Sequence, residues 1–88
     1  MSREVVIRNR LGMHARAAAR FVHTASQFRS RVTVRRLDRV MDGKSILGIL
    51  LLAAGPGTRL TLGAEGDDEL AAIEALSALV ASGFGEDS

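Results

Sequence analysis

Cysteine is absent from the 88 residues, so no disulfide, thiolate nucleophile or sulfur-ligated zinc site can form, and a chain without staples suits a reducing compartment such as the cytoplasm. Tryptophan and tyrosine are missing too, and three phenylalanines are too few to build base-stacking platforms for single-stranded nucleic acid. The longest apolar run, Ile46 to Ala54, falls far short of the roughly 18 to 20 residues of a membrane span. The opening residues Met1-Ser2-Arg3-Glu4 hold no apolar signal core, so neither targeting nor anchoring is expected. What remains is one domain, 1–88, whose 47% apolar content supports a single core and a surface site. A chain of this size has no room for a deep enclosed cavity, and no large cofactor is expected.

The net charge of +2 conceals an asymmetry. Residues 1–44 carry eleven basic side chains against three acidic ones, whereas residues 45–88 carry one against seven. A basic half suits an anionic partner: phosphate groups, an acidic protein surface or nucleic acid. No helical pattern offers a continuous basic face with base-reading Asn or Gln spacing, which sets nucleic acid aside.

Val5, Val6 and Ile7 make Glu4 to Arg8 a short strand, and Asn9-Arg10-Leu11-Gly12 a connection. From His14 onward, Ala18, Phe21, Val22, Ala25 and Phe28 recur at helical spacing. Arg31 to Arg36 alternates, with a second run at Val40 and Met41, and the pair reads as a hairpin. Asp42-Gly43-Lys44-Ser45 is a turn with Ser45 as the cap of a short apolar helix over 46–52. Gly55-Pro56-Gly57 breaks regular structure before a last strand over Arg59 to Leu62. Asp67, Asp68 and Glu69 then open a final helix with the stripe Leu70, Ile73, Leu76, Leu79 and Val80, stopped by Gly83 and followed by a frayed tail, Glu86-Asp87-Ser88. The order β-α-β-β-α-β-α, without repeats, predicts an α+β fold in which helices cover one face of an antiparallel sheet.

His14 stands where loop becomes helix, two residues before Arg16. The first amide N–H groups of a helix lack intrahelical partners and, with the dipole, form a site for an anion. That positive end, with the Arg16 guanidinium, favours the neutral, nucleophilic ring. Arg16 can also give two parallel charge-assisted hydrogen bonds to phosphate oxygens. The residues alone leave two readings open: a loop histidine that caps the helix, or an acceptor for a phosphoryl group. His23, mid-helix on a polar face, reads as solvent-facing. Gly43-Lys44-Ser45 imitates the end of a phosphate-cradling loop, but Asp38 stands where that motif needs its first glycine. Two histidines nine apart without cysteine make no metal site, and part of the 46–52 helix is left as an exposed contact patch.

The run Asn9-Arg10-Leu11-Gly12-Met13-His14-Ala15-Arg16-Ala17-Ala18 closely resembles the active-site signature of the HPr family, the histidine-containing phosphocarriers of the bacterial phosphoenolpyruvate-dependent phosphotransferase system. Asp42-Gly43-Lys44-Ser45-Ile46-Leu47-Gly48 resembles the family's regulatory serine segment, and the turn at 53–58 and the opening of the last helix at 66–69 also match. The resemblance implies an open-faced sandwich of four antiparallel strands and three helices, with His14 phosphorylated on Nδ1 by Enzyme I and Arg16 steadying the phosphate. It further implies onward transfer to a IIA domain, for sugar uptake or metabolic regulation, and an HPr kinase/phosphorylase acting on Ser45 where the organism has one. One shared docking face would combine the first helix with the short apolar helix through Met13, Ala17, Arg20, Ile46, Leu47 and Leu50. A monomer is expected, since a carrier offers one face to donor and acceptor in turn. Ala17 stands where the family usually has proline, leaving the helix start less pre-organised, so altered rates or partner choice are expected but not loss of the carrier role. The competing reading is a regulatory binding module controlled through Ser45, without phosphotransfer.

Overall fold

The computed structural model describes residues 1–86; Asp87 and Ser88, assigned to the frayed tail above, lie outside the described residues. The elements are β1 (Ser2–Val6), α1 (Ala15–Ala25), β2 (Arg31–Arg36), β3 (Arg39–Asp42), α2 (Ile46–Leu51), β4 (Arg59–Glu65) and α3 (Glu69–Ala81), followed by a 3-10 turn at Gly83–Gly85. The strands lie in the spatial order β1-β4-β2-β3, and every neighbouring pair is antiparallel. This is the α+β sandwich with one open face that the element order predicts.

Period-two alternation decides which face is covered. Val32 and Val34 of β2 and Leu60, Leu62 and Ala64 of β4 are buried, with Val34 opposite Leu62 in the ladder. Thr33 and Gly63 pair on the other face, beside Arg31 and Arg35, which are exposed. The helices cover the apolar side with Ala18, Phe21 and Ala25 from α1, Ile49 from α2 and Ile73, Leu76 and Val80 from α3. Each large side chain removed from water this way contributes about 1.5 to 3 kcal/mol.

The structure moves the expected boundaries of β1 and β4, and it ends the short helix at Leu51, with Leu52 as its C-cap. β1 starts at Ser2 and ends at Val6, because Ser2, Arg3 and Glu4 pair with Gly63, Leu62 and Thr61, while Ile7 leaves the ladder to bond with the turn at Gly57 and Thr58. The same pairing, together with that to β2, prolongs β4 to Glu65; these are backbone bonds, to which a side-chain pattern is blind. In α3 the buried set is Ala72, Ile73, Leu76 and Val80, and Leu70 is 51% exposed. The small Ala72 side chain centres the contact stripe and leaves Leu70 outside it.

Asp68 fixes the loop between α1 and β2 to the start of α3. Its carboxylate accepts hydrogen bonds from the backbone N–H groups of Arg29 and Ser30, both at 2.9 Å, and from the Ser30 hydroxyl at 2.5 Å. The hydroxyl first, then the Arg29 amide, hold this carboxyl down at about 2, against an ordinary 3.8. A depressed folded-state value means that ionised Asp68 stabilises the fold fully above pH 3.8 and loses that contribution as pH falls through about 2. Thermal melts should therefore find Asp68→Asn less stable than wild type at pH 6, with the gap narrowing as the pH is lowered toward 2.

Candidate functional site

Residues 9–13 turn the chain from β1 into α1 with little freedom. Gly12 donates to the Asn9 carbonyl at 3.1 Å, and Met13 donates to Ala54 O at 2.8 Å. Gly12 has φ +66°, and a Cβ there would lie 2.6 Å from Ala54 O and 2.8 Å from the Gly55 Cα, so only glycine lets the loop sit this close to the end of α2.

This clamp makes His14 the N-cap of α1, in extended backbone at φ −75° and ψ 178°. Its Nδ1 accepts from the Arg16 backbone N–H at 3.3 Å, and its Nε2 lies 2.5 Å from Glu86 Oε2. The ring thus carries its proton on Nε2, facing the carboxylate, and its lone pair on Nδ1, facing the start of the helix. The first intrahelical bond at this end is Ala18 N–H to His14 O, which leaves the amides of the first turn directed at the region around Nδ1. Among the described residues the Arg16 guanidinium makes no hydrogen bond or ion pair, and Arg16 is exposed. The His14 side chain is 27% exposed, so the ring is held in place yet reachable by another protein. Both readings left open by the sequence are compatible with this geometry: the ring caps the helix through Nδ1, and the cap is a weak bond to a helix end that also suits an anion.

Glu86 was expected in a frayed tail; the structure corrects this. Asn9 Nδ2 donates to Glu86 Oε1 at 2.8 Å and to Gly12 O at 2.7 Å, so one buried amide binds Glu86 to the loop at residues 9–13. Hydrogen bonds from Asn9 first, then from His14, keep the Glu86 carboxyl below the usual carboxylate range, and it is ionised at neutral pH. Asn9 lies within the signature read above, but its partner is 77 residues away and no spacing reveals it.

Ser45 caps α2, as the sequence predicts: its Oγ accepts from Gly48 N–H at 3.0 Å. It makes no hydrogen bond to His14 or Arg16 among the described residues. Of the expected docking side chains, Ile46 and Leu47 are exposed by 44% and 67%, and Leu51, not singled out above, by 50%. Leu50 is half-buried against the core. Ala17, at 0% exposure, and Met13, at 5%, offer no side chain to a partner, because the first turn of α1 and the loop before it both pack inward against the core. Arg20 is exposed, with Nη1 donating to Phe84 O. His23 is exposed beside Gln27, as expected.

The model of the family described as the PTS HPr component phosphorylation site matches residues 1–82. Phosphocarrier protein HPr of Cupriavidus necator is 46% identical over 86 residues, covering 98% of this chain and 97% of that protein. Its counterpart from Xylella fastidiosa is 42% identical over 88 residues, covering 100% and 99%. The crystal structure of HPr-C-His from Thermoanaerobacter tengcongensis superposes with a TM-score of 0.96 at 44% identity, covering 100% of this chain and 99% of that one.

Removing the α2 cap should be felt in stability. Ser45→Ala is expected to cost about 1 kcal/mol and to lower Tm by roughly 4 to 8 °C, read by thermal denaturation.

Proposed function

The chain belongs to the HPr family and is a phosphocarrier of the phosphotransferase system, and on that premise we propose that it takes its phosphoryl group from Enzyme I onto Nδ1 of His14 and passes it to a IIA domain. The observation that carries this reading is the aim of Nδ1: a lone pair directed at the amides that open α1, with an exposed Arg16 guanidinium, unengaged among the described residues, two residues on.

In the transfer, the Nδ1 lone pair attacks phosphorus while the bond to the donor breaks and its electron pair leaves with the donor. Negative charge spread over the three phosphoryl oxygens meets the backbone N–H of Arg16, now released from Nδ1, and the amide of Ala17. The guanidinium supplies charge-assisted bonds. Arg16 and the first turn therefore stabilise the phosphoryl group without acting as acid or base. Alanine at position 17 retains a backbone N–H that proline would lack, so the usual family residue is not needed for this cradle.

Partners would dock across α1 and α2, through Arg20 and the exposed Ile46, Leu47 and Leu51, with Leu50 supporting the patch from beneath. A phosphate on Ser45 would add close to two negative charges beside this apolar surface and weaken exchange with Enzyme I. This makes Ser45 a control point on a carrier; the family match does not favour a module without phosphotransfer. The carrier would act in the cytoplasm as one domain, 1–88, and no helix of the described residues is long and apolar enough to cross a membrane.

Incubation with phosphoenolpyruvate and Enzyme I should add one phosphate by intact mass, stable in alkali and lost in acid. His14→Ala should take none. Arg16→Ala should still be labelled, but with a rate reduced roughly 10- to 150-fold, as expected for about 1.5 to 3 kcal/mol of lost charge-assisted bonding. Acid-stable label, or label that survives His14→Ala, would exclude His14 as the acceptor.

A further inference from the structure

We infer that Glu86 is a positioning residue for phosphoryl transfer: its carboxylate fixes the orientation and proton of the His14 ring and faces the positive charge that the ring acquires when it is phosphorylated. The inference rests on His14 being the acceptor.

Glu86 reaches the ring through backbone built for that purpose. Gly83, Phe84 and Gly85 have φ of +65°, +59° and +72°, so three consecutive left-handed residues fold the chain back after α3. Left-handed backbone is costly for a phenylalanine, and it persists here because the Phe84 ring is 1% exposed in the core and its carbonyl accepts from Arg20 Nη1. The carboxylate is then held at both oxygens, Oε1 by Asn9 and Oε2 by His14, and the Glu86 side chain is 11% exposed. Asn9 itself is 1% exposed and, among the described residues, leaves its Oδ1 without a hydrogen-bond partner, a cost accepted while its amide nitrogen ties Gly12 and Glu86 together. Strained backbone and a buried unpaired carbonyl converging on one reactive ring are what a functional constraint leaves behind.

The chemistry gives this contact a use. In this hydrogen-bonded arrangement the ring has hydrogen on Nε2 and a lone pair on Nδ1. When that lone pair forms the bond to phosphorus and the donor departs with its own pair, the proton stays on Nε2 and the ring becomes a phosphoimidazolium. The Glu86 carboxylate, 2.5 Å from Nε2, then faces a cation in place of a neutral ring. In onward transfer the acceptor attacks phosphorus, the pair of the P–N bond returns to Nδ1, and the ring is neutral again. The proton never leaves Nε2, and Glu86 neither gives nor takes one. Its part matches that of a carboxylate orienting a ligating or catalytic histidine from behind.

The test compares the full chain with Glu86→Ala and Glu86→Gln in two measurements, with matched thermal melts confirming that both variants fold. In the unphosphorylated protein at neutral pH, proton–nitrogen NMR should show a slowly exchanging, downfield hydrogen on His14 Nε2. Glu86→Ala should lose it, and Glu86→Gln, which keeps an acceptor without the charge, should retain it at a less downfield position. The initial rate of labelling by Enzyme I should fall at least about tenfold in Glu86→Ala, the lower end of what loss of an orienting partner costs at comparable sites, and by a smaller factor in Glu86→Gln. A wild-type rate in Glu86→Ala would overturn the inference while leaving the carrier reading intact. So would a slowed rate with an unchanged Nε2 signal, which would make Glu86 a docking contact. A wild-type protein that takes no label at all would instead overturn the carrier reading, and the transfer role of Glu86 with it.

Discussion

The close approach of Gly12 to the Ala54–Gly55 backbone is the constraint on which the arrangement around His14 depends. With 2.6 Å between an imagined Cβ and Ala54 O, the loop tolerates no side chain at that position, and the Met13 to Ala54 hydrogen bond holds it in register. These contacts decide where α1 begins. They place His14 half outside the helix, in extended backbone, where a side chain can reach the unpaired amides of its own first turn. The short helix α2 thereby serves the site twice: its C-terminal end braces the loop, and its exposed face lies alongside α1.

The distribution of acidic residues follows from the same layout. Asp68 binds the loop that follows α1, through Arg29 and Ser30, and Glu86 reaches the N-terminal end of the helix, at His14. Both belong to the acidic second half of the sequence and both meet residues of the basic first half. The charge asymmetry is thus partly an internal matter of fastening the last third of the chain to α1 and the loop that follows it. The surplus that remains exposed includes Arg16 in the first turn and Arg31 and Arg35 on the open sheet face.

Periodic patterns made most of the fold legible. The β2–β3 hairpin, the α1 stripe through Phe21 and Ala25, and the cap at Ser45 all follow from local chemistry: alternation, 3.6-residue spacing and a hydroxyl before an apolar run. The motif around His14 and Arg16 was legible through family resemblance, and the helix-end geometry supports it. What local chemistry could not reveal was contact between distant residues. Glu86 followed a stop signal at Gly83 and looked like a polar end; its role depends on a left-handed reversal and a buried Asn9. Phe84 likewise carried no periodic signal, lying beyond α3, yet it is one of the fully buried aromatic rings. Ala17 and Met13 were misplaced on the surface because a motif's sequence neighbours need not be its surface neighbours: Ala17 points about 100° away from Arg16 around the helix, and Met13 lies in the loop clamped to Ala54, before the helix begins.

The spatial order β1-β4-β2-β3 leaves two strands with a row of unpaired backbone groups, each an invitation to another sheet. Both are short, and both carry charge: Arg3 and Glu4 on β1, Arg39 and Asp42 on β3. Such rims resist stacking between copies. Short, charged edges of this kind are a poor template for a further strand, so at high concentration they oppose edge-to-edge pairing of copies into extended sheets.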